Sequence, residues 1–402
     1  MNQTFTEQPS TLVVTCSAGI SPYLAKEITA LGFRVGHTTE CAVETEGTLA
    51  DCLKLNMHLR TAHRVLYALD RFRARNANQL YNSLVQIPWE NYIQPDGYFS
   101  VDRAVENPTI LDTRYASLKV KDAVVDRMRQ KFGERPNSGN ERDEACLFLH
   151  WMDDTASIYI DTTGESLSFR GYRGSTSEAP MRESLAAAVI MASGWNQRGN
   201  FLNPMCGCGT IAIEALWMAQ NRAPALQREN FSFMHLSCFE PSLWTNIRSE
   251  AIQAFERGRD IPCKIIASDI DAGMVKATLE NIALAGGGDA IKCDVCDFMM
   301  SPVPDTAERG TIILNPPYGG RMGDPIRLRD TYTDIGAFLE KNKSSYDGFV
   351  FTGNPELAEN AGLVAPHPQK FFSGRIECSL LENPVLSPEA QAQYRRRSTT
   401  NR

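Results

Sequence analysis

The sequence predicts an α/β protein, with a doubly wound α/β domain in its C-terminal part and an α+β region before it. After residue 180, apolar strands alternate with helices, which is typical of a parallel sheet covered on both faces. Four of these strands end in glycine, acidic or amide residues. Because ligands of such sheets bind outside the carboxyl ends of the strands, the four endings predict one shared site.

The N-terminal part alternates shorter strands and helices, which is why an α+β region is predicted. Ser21 is predicted as a helix N-cap with Pro22 in the first turn, a second helical pattern starts at Leu49, and Gly133 is expected to end a third. The predicted strands are TLVVTCS, YFSVDRAV, CLFLHWM and ASIYIDTTG. A domain boundary is predicted in the Gly-, Ser- and Pro-rich residues 171–180.

Composition indicates an ordinary globular protein of 402 residues, 43% of them hydrophobic and 22% charged. No stretch approaches the roughly 18 consecutive apolar residues that a membrane span needs, so no membrane association is expected. The N-terminus lacks a basic segment before an apolar run, and we expect no signal peptide. The 11 scattered cysteines do not form the even, dense set of a secreted disulfide framework, which favours a cytoplasmic protein.

The charge is unevenly distributed along the chain. The net charge is −7, yet residues 54–135 contain 14 Lys and Arg against 9 Asp and Glu. The C-terminal YRRRSTTNR adds a second basic cluster. A basic half on an acidic protein suggests a phosphate-bearing partner, while an ordinary solvated charged face remains the alternative.

The first strand-end motif is a glycine turn leading into a helix. Glycines let the backbone approach a ligand closely, and the helix N-terminus attracts a carboxylate or phosphate. A dehydrogenase would carry its ribose-binding acid about 20 residues later. Here the next acidic strand end, Asp269, comes much further along, which favours S-adenosylmethionine over a nicotinamide cofactor. The predicted cofactor-binding residues of this motif are Asn203, Pro204, Cys206, Gly207, Gly209 and Thr210.

The second and third strand ends carry acid pairs, of which one member each is expected to cap the following helix. We predict Asp269 as the ligand of the ribose hydroxyls and Asp294 as the ligand of the adenine amine. The same region contains the pairs CGC and CDVC. A structural zinc site of this kind usually pairs two CxxC elements, but CGC has the wrong spacing and each pair lies inside a strand-end motif, so no metal is predicted.

The fourth strand end is Asn315-Pro316-Pro317-Tyr318. A conjugated amine is a poor nucleophile, and an amide oxygen together with a backbone carbonyl can accept both of its hydrogens and turn its lone pair toward a methyl donor. The prolines restrict the backbone and direct that carbonyl. Tyr318 offers a stacking face for a base taken out of its helix. These four residues are therefore the predicted catalytic residues.

The order NPMCGCGTIAIEA, SDID, CDVCDF and NPPYG resembles the class I amino-methyltransferases. The segments SLKVKDAVVDRM, SFRGYR, RESLAAAVIMASGW and SGRIECSLL narrow the resemblance to the THUMP-domain RNA guanine-N2 methyltransferases, in particular those that form N2-methylguanosine in 23S ribosomal RNA, in a stand-alone form. The resemblance implies a class I (Rossmann-like) methyltransferase preceded by an α+β ferredoxin-like and THUMP RNA-binding region.

The domains implied are a ferredoxin-like segment (1–50), a THUMP domain (51–165), a methyltransferase (166–386) and a basic tail expected to be disordered (387–402). Two positions depart from the family pattern, since Asn203 stands where Asp is usual and Cys208 where Ser or Gly is usual. Three alternatives stay open: methylation of tRNA guanine, methylation of a DNA adenine or protein glutamine amine, and RNA binding without catalysis. The oligomeric state and the modified guanine are left open.

Overall fold

The computed structural model describes residues 7–174, 181–317, 325–364 and 370–383, and gives only the backbone of 325–327. Most of the predicted domain boundary, Tyr318 and the basic tail lie outside the described residues. The chain divides into two compact units, each containing one sheet. The first unit comprises the described residues up to Gly171 together with Arg182–Ala188 and Gln220–Asp260, and the second comprises the remaining described residues.

The element bounds are as follows. The strands are β1 Ser10–Thr15, β2 Val35–Thr38, β3 Ala42–Gly47, β4 Arg64–Arg73, β5 Tyr98–Glu106, β6 Asn137–Gly139, β7 Ala145–Met152, β8 Thr155–Asp161, β9 Phe201–Pro204, β10 Ile265–Asp269, β11 Ile291–Val295, β12 Gly310–Leu314, β13 Tyr346–Thr352, β14 Lys370–Ser373 and β15 Ile376–Glu382. The helices are α1 Ser21–Ala30, α2 Leu49–His58, α3 Ala77–Leu84, α4 Thr113–Phe132, α5 Glu183–Ala192, α6 Thr210–Ala219, α7 Pro241–Gly258, α8 Ala272–Leu284, α9 Pro325–Asn342 and α10 Pro355–Asn360.

The first unit contains an eight-stranded sheet in the order β2-β3-β1-β4-β8-β7-β5-β6. Its first half, β1-α1-β2-β3-α2-β4, is a ferredoxin-like arrangement. Strand β4 pairs with β1 on one side and with β8 on the other, so the two halves share one continuous sheet. A domain boundary is predicted at residue 50, between β1 and β4 in sequence. These two strands are hydrogen-bonded to each other, so the segments on both sides of residue 50 contribute to the same sheet. The bounds of the individual domains stay predictions.

Local sequence signals explain most helix ends of the first unit. Thr48 and Asp51 form a capping box at the start of α2, and Gly133 ends α4 with φ of 75°. The prediction that Ser21 caps α1 is wrong. The N-cap is Ile20, whose carbonyl accepts from Tyr23 and Leu24 N–H, so Ser21 is already helical.

Residues Gln220–Asp260 lie within the sequence range predicted as methyltransferase, yet they pack in the first unit. Phe231 and Phe233 stack with ring centroids 4.9 Å apart, and Trp244 of α7 packs edge-on against both rings. Ser232 Oγ accepts from the N–H of Cys146 in β7 at 2.8 Å. The bond between Ser232 and Cys146, and a second from Phe233 N–H to Thr162 O at 3.1 Å just beyond β8, tie this aromatic cluster to the sheet of the first unit.

The second unit contains a seven-stranded sheet in the order β11-β10-β9-β12-β13-β15-β14. The strands from β11 to β13 are parallel, and β15 runs antiparallel to its two neighbours. Every residue of β9 and β12 is buried, as expected for central strands covered on both faces. The predicted doubly wound α/β domain with a class I methyltransferase fold is confirmed.

None of the helices in the described ranges combines the length and the apolar character needed to cross a membrane.

Candidate active site

Four neighbouring strands bring the predicted motifs to one edge of the second sheet. Strands β11, β10, β9 and β12 lie side by side in parallel, so their carboxyl ends point the same way. The glycine loop follows β9, the acid pairs lie at or just beyond the ends of β10 and β11, and Asn315 follows β12. This is the edge at which ligands bind in sheets of this kind.

The glycine loop is tightly constrained. Met205, Gly207 and Gly209 have φ of 57°, 55° and 81°, so three residues in five adopt the left-handed conformation. The N–H of Cys206 donates to Ser268 O at 3.0 Å, which ties the loop to β10. A Cβ on Gly209 would lie 2.6 Å from Cγ2 of Thr278, whereas a Cβ on Gly207 would meet no atom within 4 Å. Gly209 is therefore required by close approach as well as by its backbone conformation.

The acids at the second strand end have different partners. Asp269 Oδ2 accepts from Gly207 N–H at 2.9 Å, and Oδ1 accepts from Asp271 N–H at 3.0 Å. Asp271 caps α8 through the N–H groups of Gly273 and Met274. Asp269 is thus bonded to the glycine loop itself, while Asp271 has the capping role expected for one member of the pair.

The two acids at or just beyond the end of β11 also have different surroundings. Asp297 accepts from Met299 N–H at 2.9 Å and caps a short turn. Asp294 is exposed at the second-last position of β11, opposite Ser268 of β10. Its assignment to the adenine amine stays a prediction.

Two asparagines with buried side-chain oxygens mark the ends of β9 and β12. Asn203 is fully buried, and its Nδ2 donates to Ile313 O of β12 at 2.9 Å. Its Oδ1 finds no hydrogen-bond partner among the described residues, and neither does the buried Oδ1 of Asn315. A buried acceptor without a donor is costly, and such atoms in a cleft are commonly completed by a ligand.

The residues after Asn315 are only partly described. Pro316 is buried and Pro317 is exposed. Tyr318, the predicted stacking residue, lies outside the described residues, so its role stays a prediction.

The environments of the two cysteines in the glycine loop differ in what they show. Burial raises the pKa of the Cys206 thiol to about 12, which keeps it protonated. Cys208 is buried, with Sγ 3.5 Å from Thr210 Oγ1. Across the described part of the chain, no group of three or more His, Cys, Asp and Glu side chains is arranged to hold a metal ion.

Sequence reasoning missed two residues that hold the glycine loop from α8. Thr278 Oγ1 donates to Gly207 O at 2.7 Å, and Asn281 Nδ2 donates to Cys208 O at 2.9 Å. The two residues are three positions apart and therefore share a helix face. Polar residues at this spacing beside the apolar positions of α8 were the available signal.

Several basic residues of the 54–135 window are occupied within the protein. Among the described residues, ion pairs involve five basic residues of the 54–135 window: Arg64, Arg114, Lys119, Arg127 and Lys131. Arg71, Arg73 and Arg75 are exposed at alternating positions from the end of β4 onward, and none forms an ion pair with a described residue. Arg129 and Arg135 are exposed as well and form no ion pair with a described residue, so five arginines of this window are accessible to an anionic partner.

Comparison with known proteins agrees with this architecture. Three family models match: an RlmL ferredoxin-like domain at residues 11–66, a THUMP domain at 74–161, and an "RMKL-like, methyltransferase domain" at 170–382. A ribosomal RNA large subunit methyltransferase K/L from Syntrophotalea carbinolica is 36% identical over 382 residues, covering 93% of this chain and 53% of the relative. The chain thus spans about half the length of the curated relatives it matches.

Two solved structures are similar over almost the whole chain. SMU.472, crystallised with SAH, is 28% identical with a TM-score of 0.85, covering 95% of this chain and 99% of that one. A predicted N6-adenine-specific DNA methylase from Listeria monocytogenes is also 28% identical, with a TM-score of 0.82 and coverage of 94% and 97%. Because the methyltransferase model matches more than half of the residues, the chain belongs to the RMKL-like methyltransferase domain family.

Proposed function

We propose that this chain is an S-adenosylmethionine-dependent methyltransferase that forms N2-methylguanosine in 23S ribosomal RNA. The observation that supports it best is the buried Oδ1 of Asn315, an acceptor without a described partner at the strand end beside the glycine loop. The resemblance of the motifs and the K/L methyltransferase relatives support the choice of substrate.

The residues of the glycine loop fit S-adenosylmethionine. The α6 N-terminus suits its carboxylate, and Asn203 Oδ1 is a buried acceptor suited to its ammonium group. Asp269 and Asp294 are the proposed contacts to the ribose hydroxyls and the adenine amine. We also propose contacts from Pro204, Cys206, Gly207, Gly209 and Thr210. When bound, this cofactor supplies the methyl group.

The chain's own contribution to the chemistry is to grip the guanine amine. Asn315 Oδ1 accepts one N–H of the amine, and a backbone carbonyl of the Pro316–Pro317 segment accepts the other. Accepting both hydrogens frees the nitrogen lone pair for attack. Tyr318 is proposed to stack on the extruded base. No side chain is assigned as a general base, because the amine becomes acidic on methylation and loses its proton readily.

RNA binding is proposed for the ferredoxin-like and THUMP region. Exposed Arg71, Arg73 and Arg75 offer positive charge to RNA phosphates and should make RNA affinity salt-dependent.

All eleven cysteines are free thiols, which supports a reducing compartment, and we propose the cytoplasm. The division into 1–50, 51–165, 166–386 and a tail from 387 is likewise proposed.

The test is methyl transfer from labelled S-adenosylmethionine to 23S ribosomal RNA, tRNA, duplex DNA and protein, followed by nucleoside analysis. We expect N2-methylguanosine in 23S RNA only, and far slower formation with Asn315→Ala. N2-methylguanosine in tRNA alone, or N6-methyladenine in DNA, would replace the proposed substrate. RNA binding without methyl transfer to any substrate would favour the non-catalytic alternative.

A further inference from the structure

Helix α8 holds the two central carbonyls of the glycine loop. Thr278 is fully buried and Asn281 is 1% exposed, and their side chains donate to Gly207 O and Cys208 O. In a trans peptide the N–H points opposite to the preceding C=O. Holding the Gly207 carbonyl toward α8 therefore directs the Cys208 N–H away from the helix, toward the open strand edge.

The other end of the Asn281 carboxamide is also occupied. Its Oδ1 accepts from the backbone N–H of Gly174 at 3.1 Å. Gly174 belongs to the short segment Tyr172–Gly174, which precedes the methyltransferase strands in sequence. Asn281 thus joins this segment to the glycine loop through a single rigid amide group.

The Tyr172–Gly174 segment is itself fixed to the second unit. The Tyr172 hydroxyl donates to Glu214 of α6 at 3.3 Å, and its ring packs edge-on against Trp217 with centroids 5.2 Å apart. Trp217 Nε1 in turn donates to Ala285 O, just beyond α8. These contacts set the position of Gly174 independently of the glycine loop.

The position of Gly174 decides which way the Asn281 amide faces. With Oδ1 held by the Gly174 N–H, Nδ2 must face Cys208 O. The reversed amide would place two oxygens against each other on one side and two N–H donors on the other, leaving both buried bonds unmade.

We propose that Asn281 is a positioning residue for the cofactor loop, kept in the productive orientation by the Tyr172–Gly174 segment. This inference rests on the proposed function, because it assumes that the loop binds the cofactor. The contact of Asn281 with Gly174 thus controls cofactor affinity without touching the cofactor.

The experiment measures S-adenosylhomocysteine affinity by calorimetry on the full chain, together with melting temperature and, in turnover assays, KM and kcat. In Asn281→Asp, a carboxylate oxygen replaces the donor to Cys208 O while the acceptor for Gly174 N–H remains. We expect affinity to fall about 10- to 100-fold. KM for the cofactor should rise while kcat at saturation changes much less.

Two further variants keep the inference testable if Asn281→Asp does not fold. Thr278→Val removes the bond to Gly207 O, together with the 3.7 Å contact of Oγ1 with Cys206 Sγ, and is the matched control for a direct loop contact. Tyr172→Phe removes only the hydroxyl that holds the segment to α6. We expect both to weaken binding less than Asn281→Asp, and the Tyr172→Phe effect to shrink when combined with Asn281→Asp.

The outcomes separate this inference from the proposed function. If the wild-type chain does not bind S-adenosylhomocysteine, the proposed function fails first. If the wild-type chain binds and Asn281→Asp binds equally well, the inference is overturned. Variants that lower only the melting temperature, with affinity and KM unchanged, overturn it as well, since they would show a purely structural role.

Discussion

Asp161 in the first sheet and Asn203 in the second are both fully buried, yet their surroundings are opposite. The Asp161 carboxylate accepts from Arg64 at 2.6 Å and from Arg142 at 2.6 Å. It also accepts from the N–H groups of Thr163 and Gly164. The side chain of Asn203 makes one hydrogen bond to a described residue, from Nδ2 to Ile313 O, and its Oδ1 has no partner among the described residues.

The difference separates polar groups that support the fold from those that await a ligand. A buried acceptor without a donor is costly, and at a strand end where ligands bind, a ligand that donates to it is the simplest explanation. The buried carboxylate of the first unit is completed internally and should matter for stability. The buried amide oxygens of Asn203 and Asn315 in the second unit should matter for binding and turnover. Each of the following predictions tests one side of this contrast.

The largest effect on stability is expected from Asp161→Ala. Burial raises the pKa of Asp161 to about 6, so the carboxyl is ionised at neutral pH, where it pairs with both arginines. Removing it leaves two guanidinium groups and two N–H groups short of an acceptor, which should cost about 3–5 kcal/mol of unfolding free energy. Denaturant titration measures the loss, and S-adenosylhomocysteine affinity in the folded variant should be unchanged. A loss below about 1 kcal/mol would show that the network is dispensable.

Asn315→Ala should give the opposite result, with a stable fold and poor turnover. The lost acceptor acts most strongly as the amine attacks, so single-turnover methyl transfer should slow by about 10²–10³. Pro317→Ala, at an exposed position, should act through backbone geometry alone and have an intermediate effect. Melting temperature and RNA affinity serve as controls. Full activity of Asn315→Ala would contradict the proposed hydrogen bond between Asn315 Oδ1 and the guanine amine.

Gly209→Ala and Gly207→Ala form a matched pair within one loop. Both glycines have positive φ, so an alanine costs about 1–2 kcal/mol at either position. Only at Gly209 would the new methyl also meet Thr278 Cγ2 at 2.6 Å. We therefore expect Gly209→Ala to lose cofactor binding and Gly207→Ala to keep most of it. Calorimetry measures the S-adenosylhomocysteine affinity of both variants. Equal losses of affinity would contradict the role of the Thr278 contact.

The smallest expected effect is a pH dependence in the first unit. Burial, with nearby Arg182, Arg64 and Arg170, lowers the pKa of His63 to about 4. The unfolded chain takes up a proton near pH 6.5 and the folded chain does not, so stability present above pH 6.5 is lost as pH falls toward 4. At pH 5 this should amount to about 1 kcal/mol after allowing for partial exposure.

His63→Gln should reduce the loss of unfolding free energy between pH 7.5 and pH 5 without abolishing it. His58 has its pKa lowered to about 4 by burial and contributes in the same direction. Unfolding free energies at pH 7.5 and pH 5 for both proteins give the comparison. If the variant loses as much unfolding free energy between pH 7.5 and pH 5 as the wild type, His63 is protonated in the folded chain.

The sequence predicted the strand ends well because each signal is local. Apolar runs that stop at Gly, Asp or Asn mark β9, β10, β11 and β12, and a parallel sheet brings such ends together. A contact between distant segments is not identified by a local pattern, because polar residues on one face of a helix do not show which segment they contact. The bond from Asn203 to Ile313 and the support of the loop by Thr278 and Asn281 were therefore missed. Nor does any shift in composition reveal that Gln220–Asp260 packs in the first unit.

That last segment has a consequence for the order in which the chain is built. The sheet of the first unit is complete in sequence once β8 has been synthesised, but Phe231, Phe233 and Trp244 come about 70 to 80 residues later. On the ribosome, the first unit must therefore wait with an uncovered surface until Asp260 has emerged. During that interval β9 and α6 are already present without β10 and β12, so neither unit can finish folding before synthesis of the other has begun.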